Sequence, residues 1–361
     1  MLNDYLFNCD LQPIDDKKVI AEIKASPLPC VLWGAGEVAE KVFCILTNNG
    51  IEISDVLVDG VVSKHFHGYI SLNFDQLIEK HKRFNVIMGH NRYDRIDSFV
   101  EKHSQVAKVF FFYNSFNWEE GFNIEYYKAH ESDFQKAFEL SEDGVAKNAY
   151  SQFINSRISA NPRYITSDCV VNGYFNNDVM NTCENDSLLE IGAFNGNIVS
   201  LFNKETNGKY KKVIALEPDA DNFKQLTANL LQLHDIELHR IGCWNKKTEL
   251  NFCIDGTGKS NHIDETGKSV TTISVDTVDD ILQGEAVSII NLFCQTGIME
   301  ILEGAKETII EHKPKLIIGI GLRKEQSYQV PLFLKSLNVN YKFFYRFYGG
   351  VPSKFYLVAV Q

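Results

Sequence analysis

The chemistry-bearing residues with the most informative spacing in this chain form a glycine loop. The loop consists of Glu190, Ile191, Gly192, Ala193, Phe194, Asn195 and Gly196. An apolar run typical of a buried strand precedes the glycines, and a helical pattern begins at Ile198. Glycine permits positive φ and lets a ligand approach the backbone closely, and a helix start presents unpaired N–H groups. The spacing therefore indicates a cofactor site between a strand and a helix.

A second acidic residue strengthens this interpretation. Glu217 ends the next apolar run, Ile214 to Leu216, about 20 residues after the loop. A carboxylate there is placed to accept hydrogen bonds from both hydroxyls of a ribose, in the crevice at the carboxyl ends of parallel strands. A glycine loop after a strand also occurs for packing reasons alone, and Glu217 at this interval favours an adenosyl cofactor.

The first part of the chain carries a related but weaker pattern. Gly34, Gly36 and Ala39 follow a short apolar run as Gly-x-Gly-x-x-Ala, and Asp59 lies 23 residues after Gly36. This spacing fits a nucleotide-binding fingerprint. A turn retained for packing or for dimer contacts explains the same residues, and both interpretations stay open.

The elements that would position these residues alternate between strand and helix. In the first part, strands are predicted at 29–33, 51–58, 85–88 and 106–112, with helices at 40–49 and 74–81. Residues 119–165 have helical spacing. From residue 187 the alternation restarts, with a helix predicted over 298–312 and two closing strands at 341–347 and 354–360. The sequence predicts an α/β protein with a Rossmann-like domain over 1–118, a helical connector over 119–165 and a second domain over 166–361.

Composition excludes several classes of function. The chain has 361 residues, a net charge of −11 and no long Lys/Arg run, so nucleic acid is not an expected partner. None of its eight cysteines forms a CxxC pair. His65 and His67 lack a third ligand, so no metal site is predicted.

With neither a signal peptide nor an apolar run of about 18 residues, we expect a cytoplasmic protein without a membrane partner. Oligomeric state cannot be predicted, and a homo-oligomer is compatible with the sequence; the apolar tail Phe343 to Val360 is expected to be core.

From about Tyr174 to Val360 the chain resembles the FkbM family of methyltransferases. The ordered motifs that carry the resemblance are Leu189 to Gly196, Leu216 to Phe223, Cys243 to Lys246, Thr271 to Leu282, Glu303 to Ile309, Lys313 to Leu316 and Phe355 to Ala359. The first part resembles the Rossmann-like domain that often precedes this family's catalytic domain. The resemblance implies a class I, seven-stranded methyltransferase sheet.

The resemblance also implies a reaction and a set of ligand contacts. It implies methyl transfer from S-adenosylmethionine, usually to a hydroxyl oxygen, with a sugar, glycan or other polar small molecule as acceptor. Carried over by position, Glu190, Gly192, Ala193, Asn195 and Gly196 would surround the methionine part of the cofactor. Glu217 would hold the ribose, and Cys243 and Trp244 would lie near the adenine.

The chain departs from the family where the substrate would lie. The family's Lys-Met-Asp-Ile-Glu-Gly-Ala-Glu aligns with Asn291 to Ile298, so its Asp becomes Phe293 and its first Glu becomes Gln295. Its later Tyr-His becomes Gly321-Leu322, and the His that often follows the late Arg becomes Phe347. Neither Phe293 nor Leu322 can take a proton. The chain is then a methyltransferase with another acceptor or base, a lapsed cofactor-binding protein, or a structural or partner-binding relative with an empty pocket.

Few residues are candidates for the missing chemistry. His262 lies in the Gly-rich segment Asp255 to Gly267 and is a candidate base. Gln295 can form hydrogen bonds but cannot act as a base near neutral pH. Arg346 matches the family and could orient an anionic acceptor, although a surface salt bridge would explain it equally well.

Overall fold

The computed structural model describes most of the chain. The described residues are 1–2, 6, 14–59, 65–90, 96–112, 122–159, 161, 164–166, 169–171, 173–253, 262–263 and 271–361, with the backbone alone at 37, 97, 98, 262 and 263.

The first part of the chain forms a four-stranded parallel sheet. Its strands and a small hairpin are β1 (Cys30–Trp33), β2 (Asp55–Leu57), β3 (His65–Phe66), β4 (Tyr69–Ile70), β5 (Phe84–Met88) and β6 (Val106–Phe110). The sheet order is β2-β1-β5-β6, and β3 pairs with β4 in the hairpin. The apolar runs of β1 and β5 are buried throughout, as expected of a sheet covered on both faces. The parallel sheet predicted from the alternation is confirmed.

Within the described residues, four helices accompany this sheet. They are α1 (Asp16–Ala25), α2 (Glu37–Asn48), α3 (Phe74–Lys80) and α4 (Ile96–Lys102). Local chemistry fixes the start of α3, because Asn73 and Gln76 form a capping box. Helix α2 begins directly after Gly36, which has no side chain to cap it. The strand–glycine–helix order predicted at residues 34–39 is therefore present.

The helical segment that follows packs on the second sheet. Its helices are α5 (Ile124–Ala129), α6 (Glu131–Glu139) and α7 (Gly144–Ser159). The Tyr345 hydroxyl donates to the Ala137 carbonyl at 2.8 Å, and the Tyr150 hydroxyl donates to the Ser327 carbonyl at 3.0 Å. These buried bonds tie α6 and α7 to the later part of the chain. The domain division at residues 118 and 165 stays a prediction.

The second sheet has seven strands. They are β7 (Ser187–Ile191), β8 (Lys212–Leu216), β9 (Ile236–His239), β14 (Ile289–Leu292), β15 (Lys315–Gly319), β16 (Lys342–Phe347) and β17 (Phe355–Val360). The order is β16-β17-β15-β14-β7-β8-β9. β17 is antiparallel to both neighbours and the other pairings are parallel. This is the predicted class I arrangement, with its topological switch point between β7 and β14.

Helices cover both faces of the second sheet. They are α8 (Asn197–Glu205), α9 (Ala220–Leu230), α10 (Val278–Leu282), α11 (Ile298–Glu303), α12 (Lys306–His312) and α13 (Gln326–Ser336). The prediction of a single helix over residues 298–312 was wrong, because Gly304 and Ala305 separate two helices, α11 and α12. The Gly304 backbone lies so close to Trp244 that a Cβ there would be 2.1 Å from the Trp244 carbonyl oxygen. Tertiary packing therefore overrides the helical period.

A second small sheet follows β9. Its strands are β10 (Gly242–Cys243), β11 (Thr248–Cys253), β12 (His262–Ile263) and β13 (Thr271–Asp276), in the order β10-β13-β11-β12. The alternating pattern of residues 249–254 and 269–274 predicts two β-hairpin arms, and the antiparallel pairing of β11 with β13 confirms them. Most of the Gly-rich segment between them lies outside the described residues.

The alternation of strand side chains places the acids relative to the core. In β7, Leu189 and Ile191 join the hydrophobic cluster on one face, and Leu188 joins the cluster on the other. Glu190 therefore shares the face of Leu188. The apolar tail of the chain is core, as predicted: Tyr345, Phe347 and Phe355 are fully buried.

Candidate functional site

The glycine loop between β7 and α8 adopts a tight conformation. Gly192, Phe194 and Gly196 have φ values of 81°, 51° and 85°. A side chain at Gly196 would lie 3.0 Å from Leu226 and Leu230, so glycine is also required by packing on α9. Phe194 is the unusual member, since a bulky residue at positive φ costs about 1–3 kcal/mol and such strain clusters at functional sites.

Asn195 carries a buried acceptor that the protein leaves unused. Its Oδ1 has no hydrogen-bond partner among the described residues. Its backbone carbonyl is held by Nδ2 of Asn229 at 2.8 Å. A buried amide oxygen without a donor costs about 1–3 kcal/mol, and a ligand that donates a hydrogen bond would recover that free energy. The loop therefore fits a ligand that donates a hydrogen bond at this point.

Glu217 lies directly beside this loop. Its carboxylate accepts hydrogen bonds from the backbone N–H of Phe194 at 2.8 Å and of Asp219 at 3.0 Å. Burial raises the pKa of Glu217, although these two hydrogen bonds oppose the rise. Oε2 keeps a lone pair, and Oε1 accepts only a long second bond, from Nδ2 of Asn222 at 3.4 Å, so the group can still accept hydroxyl donors. The structure thus brings together the two predicted cofactor motifs, and Phe194 is the link that sequence reasoning did not identify.

Glu190 sits deeper, in a buried polar chain. Nδ2 of Asn291 donates to both Glu190 oxygens at 2.9 Å, and the Tyr174 hydroxyl donates to Oδ1 of Asn291 at 2.9 Å. Asn291 stands where the resembled family has a lysine. Glu190 is 2% exposed, and burial raises its pKa well above the usual range against the opposing Asn291 bond. Glu190 is therefore held below the glycine loop by a neutral partner.

The raised pKa of Glu190 predicts a pH-dependent stability. Its penalty is absent below the unfolded pKa of about 4.3 and grows as pH rises toward the folded pKa. Glu190→Gln should remove this slope, so the variant should match or exceed the wild-type free energy of unfolding at pH 8 and lose that advantage toward pH 4. Urea denaturation across this range measures it.

A contrasting variant makes the Glu190 prediction specific. The hydrogen bond from Lys212 lowers the pKa of Glu237, so Glu237→Gln should change stability with pH in the opposite direction. Parallel pH profiles for both variants would contradict the assignment of a raised pKa to Glu190.

Cys243 ends β10 of the small sheet, and Trp244 directly follows it. Burial strongly raises the pKa of the Cys243 thiol, with smaller contributions from Cys294 and Asp276. The Trp244 ring packs on Gly297, where a Cβ would be 2.3 Å from its Cζ3 atom. Trp244 thus covers the loop after β14, next to the glycine loop, and its proximity to adenine stays a prediction.

Cys294 also belongs to this region, although sequence reasoning gave it no role in the site. Its Sγ is 3.3 Å from the position of a Cβ at Gly192. Burial raises the pKa of Cys294 to about 12, with further contributions from Glu217 and Glu190. The thiol is therefore a protonated neighbour of both acids.

Phe293 replaces the family acid with a packed ring. It stacks on Tyr356 with ring centroids 5.5 Å apart, and a Cβ at Gly319 would be 2.1 Å from its Cδ2. Nζ of Lys354 lies over the same ring, 4.5 Å from its centroid. Lys354 follows the Gly349-Gly350 turn, and no sequence pattern singled it out as a site residue.

The predicted catalytic candidates are Arg346, Gln295 and His262, and different contacts position each of them. Arg346 is 1% exposed and pairs with Asp143 at 2.7 Å and Asp178 at 2.6 Å. A role of Arg346 in orienting an anionic acceptor stays a prediction. Gln295 accepts a hydrogen bond from Nε of Arg323 through its backbone carbonyl at 3.3 Å. The backbone of His262 in β12 pairs with that of Cys253 in β11. The side chain of His262 is not among the described parts of the structure.

The N-terminal glycines have packing roles of their own. Gly34 has a φ of 129°, and a Cβ there would be 2.4 Å from the Gly89 carbonyl oxygen. Ala39 is fully buried against Gly89. Asp59 accepts a hydrogen bond from Nε1 of Trp33 at 3.0 Å. Gly36 faces open space at the start of α2. Nucleotide binding here stays a prediction, with Gly36 as its most accessible element.

Neither a cluster of metal ligands nor a membrane-spanning helix is present in the described part of the chain. It contains no group of three or more His, Cys, Asp or Glu residues arranged to hold a metal ion. No described helix is long and apolar enough to cross a membrane. A cavity of about 430 Å³ lies at the opposite edge of the sheet, beside Ser288 and Lys315, and is separate from the glycine loop.

Solved structures match this chain, whereas comparisons of its sequence do not. No family model and no curated protein matches the chain. The solved structure of a methyltransferase FkbM from Methylobacillus flagellatus matches 99% of this chain and 97% of its own, with a TM-score of 0.66 and 18% identity. A methyltransferase from Geobacter sulfurreducens is 17% identical, with 49% and 71% coverage and a TM-score of 0.29. Aeropyrum pernix fibrillarin, solved with bound S-adenosyl-L-methionine, is 8% identical, with 48% and 66% coverage and a TM-score of 0.32.

The fold comparison rests on the first of these structures, because the other two scores lie below 0.5. Its match extends over the parallel sheet of the first part, the helical segment and the seven-stranded sheet. This chain therefore has the fold of an FkbM methyltransferase along its whole length, as the resemblance in its sequence predicts.

Proposed function

We propose that this protein transfers a methyl group from S-adenosylmethionine to an oxygen atom of a sugar, glycan or other polar small molecule. The observation that carries the proposal is the unpartnered, buried Oδ1 of Asn195 in a loop with three positive φ values beside Glu217. A buried acceptor without a donor calls for an explanation in a native structure, and a bound cofactor would supply one here.

Different residues of the site would contact different parts of the cofactor. Asn195 and the backbone at Gly192 and Gly196 would hold the amino acid part, whose ammonium group matches the unused acceptor. Glu217 would accept the ribose hydroxyls, and Trp244 would border the adenine. The cofactor would supply a methyl carbon made electrophilic by the adjacent sulfonium.

Calorimetric titration with S-adenosylhomocysteine tests cofactor binding. We expect Asn195→Ala to weaken binding about 10- to 150-fold, the equivalent of one charged hydrogen bond of about 1.5–3 kcal/mol. Asn251→Ala, an exposed asparagine of β11, is the matched control and should bind like the wild type. An unchanged affinity in Asn195→Ala would contradict the proposed cofactor position.

Transfer of the methyl group needs its own assay. Tritiated S-adenosylmethionine with a panel of sugar nucleotides, glycans and polyols would detect an acceptor. Binding with no transfer to any acceptor would favour a lapsed cofactor-binding protein. Absence of binding to S-adenosylmethionine and to S-adenosylhomocysteine would contradict the proposed function and favour a structural or partner-binding protein.

A further inference from the structure

We propose that Lys354 is the general base of the transfer reaction, replacing the acids that this chain lacks. The inference rests on the proposed function, and it assigns a role to a residue that sequence comparison left unmarked.

The sheet topology brings Lys354 to the reactive edge. β17 runs antiparallel to β15, with Tyr356 opposite Gly319. The start of β17, which Lys354 immediately precedes, therefore lies at the carboxyl end of β15. In a doubly wound sheet this is the edge where ligands bind. The lysine directly precedes the one strand of this sheet whose direction is reversed, so its position does not depend on the motifs after the parallel strands.

Phe293 places the lysine relative to the glycine loop. Phe293 directly follows β14, which pairs with β7, the strand that leads into the loop. The Phe293 carbonyl oxygen is 3.5 Å from the position of a Cβ at Gly192. Nζ of Lys354 lies over the ring of the same residue, 4.5 Å from its centroid. The amine thus occupies the region where the resembled family carries its aspartate.

The surroundings of Lys354 favour a neutral amine. The lysine is half-buried, and among the described residues no carboxylate lies within ion-pair distance of Nζ. Burial lowers the pKa of Lys354, as expected for an ammonium group removed from water without a counter-ion.

The other titratable groups on this face do not supply a compensating charge. Burial raises the pKa of the Tyr174, Tyr348 and Tyr356 phenols, so they stay protonated near neutral pH. Burial also raises the pKa of Glu190, which hydrogen-bonds to Asn291. The guanidinium of Arg346 is paired with Asp143 and Asp178.

The proposed step balances in atoms and charge. The acceptor oxygen forms the new O–C bond as the S–C bond breaks and the sulfonium becomes a neutral sulfide. The hydroxyl proton passes to Nζ of Lys354, which gains the positive charge that sulfur loses. The Phe293 ring beneath Nζ stabilises the resulting ammonium by a cation–π contact, worth about 0.5–2 kcal/mol. The substitution that removed an acid thus supports a different base.

A direct titration of Lys354 tests the first requirement without an acceptor. Competitive acetylation across pH 6–11, read by peptide mass spectrometry on protein saturated with S-adenosylhomocysteine, gives its midpoint. N-acetyl-lysine amide in the same mixture is the reference. We expect the midpoint of Lys354 to lie below the reference. A midpoint at or above the reference would overturn the base assignment.

Two variants at position 293 test the contact itself. Phe293→Leu removes the ring that stabilises the ammonium and should lower the Lys354 midpoint further. Phe293→Asp introduces a carboxylate and should raise it. If Nζ of Lys354 did not lie against residue 293, neither variant would shift the Lys354 midpoint. That result would contradict the proposed contact.

The catalytic arm separates failure of this inference from failure of the proposed function. With an acceptor that the wild type methylates, Lys354→Met should lower kcat about 100- to 10,000-fold and leave the Kd for S-adenosylhomocysteine within about twofold. Lys354→Arg should not restore the rate, because a guanidinium cannot accept the proton. Lys342→Met, on the exposed side of β16, is the control.

The outcomes can be told apart. A wild type that neither binds S-adenosylhomocysteine nor transfers methyl groups defeats the proposed function and the base role together. A wild type that transfers methyl groups, with Lys354→Met at the same rate, defeats the base role alone. If binding occurs and no acceptor is found, the titration and the two Phe293 variants still decide whether Lys354 has the properties of a base.

Discussion

Replacing Glu217 by alanine should weaken binding of S-adenosylhomocysteine about 150-fold or more. Glu217 would accept hydrogen bonds from both ribose hydroxyls, and each hydrogen bond to a charged group is worth about 1.5–3 kcal/mol. A total loss of about 3 kcal/mol or more corresponds to this change in Kd. The variant also frees the backbone N–H of Phe194, which Glu217 accepts at 2.8 Å, so the loop that holds the amino acid part would loosen as well.

The control for Glu217 lies on the next strand. Glu237 of β9 has a side chain that is 52% exposed and pairs with Lys212 at 2.7 Å. Glu237→Ala should therefore leave the Kd unchanged. Thermal unfolding without ligand identifies any general loss of fold in Glu217→Ala. Equal affinities for wild type and Glu217→Ala, in folded protein, would contradict the cofactor site.

The affinity should also depend on pH. Burial raises the pKa of Glu217, so its carboxylate becomes protonated, and loses acceptor strength, at a higher pH than an exposed glutamate. Binding should weaken on acidification in the wild type, and Glu217→Gln should lack the part of this dependence that comes from residue 217.

Replacing Arg346 by methionine should lower the free energy of unfolding by about 3 kcal/mol. The side chain is 1% exposed and joins three parts of the chain. Nη2 contacts Asp143 at 2.7 Å and Asp178 at 2.6 Å, and Nη1 donates to the Tyr345 carbonyl at 3.0 Å. Removing one partner of a buried pair costs about 3–5 kcal/mol. We expect the lower end, because both carboxylates are partly exposed and would be solvated.

Acid should diminish the effect of the Arg346 substitution. Burial of Asp143 works against its ionised form, but the hydrogen bonds from Arg346 and Ala146 outweigh this and lower its pKa. The stability from this carboxylate is present above its unfolded pKa and is lost as pH falls through the lower folded pKa. Urea denaturation at pH 7 and at pH 3 should show a smaller difference between wild type and Arg346→Met at pH 3.

Two controls separate stability from cofactor binding. Lys342→Met on the same strand should unfold like the wild type, because Lys342 is exposed. Arg346→Met should keep its affinity for S-adenosylhomocysteine at temperatures where it stays folded. A variant as stable as the wild type would show that Arg346 is not the anchor that its contacts indicate.

The local units of this protein can be predicted from its amino-acid sequence. The alternation of apolar runs and helical patterns predicted both parallel sheets and the closing antiparallel hairpin, because burial on one or two faces leaves a period in the chain. It also predicted the glycine loop and the acid after the next strand. These features could be read because each depends on backbone conformation within a few residues, where Gly192 and Gly196 are needed for positive φ.

Contacts between side chains that are distant in the sequence depend on the tertiary fold. The sequence pattern gives the face of a strand but not the neighbour across that face. Arg346 therefore looked free to orient an acceptor until the fold brought Asp143 and Asp178 to it. Trp244 broke the predicted helix at Gly304. Lys354 has no motif, and it reaches Phe293 because β17 is antiparallel and adjacent to β15. Strand order and direction, which depend on the whole core, set these contacts.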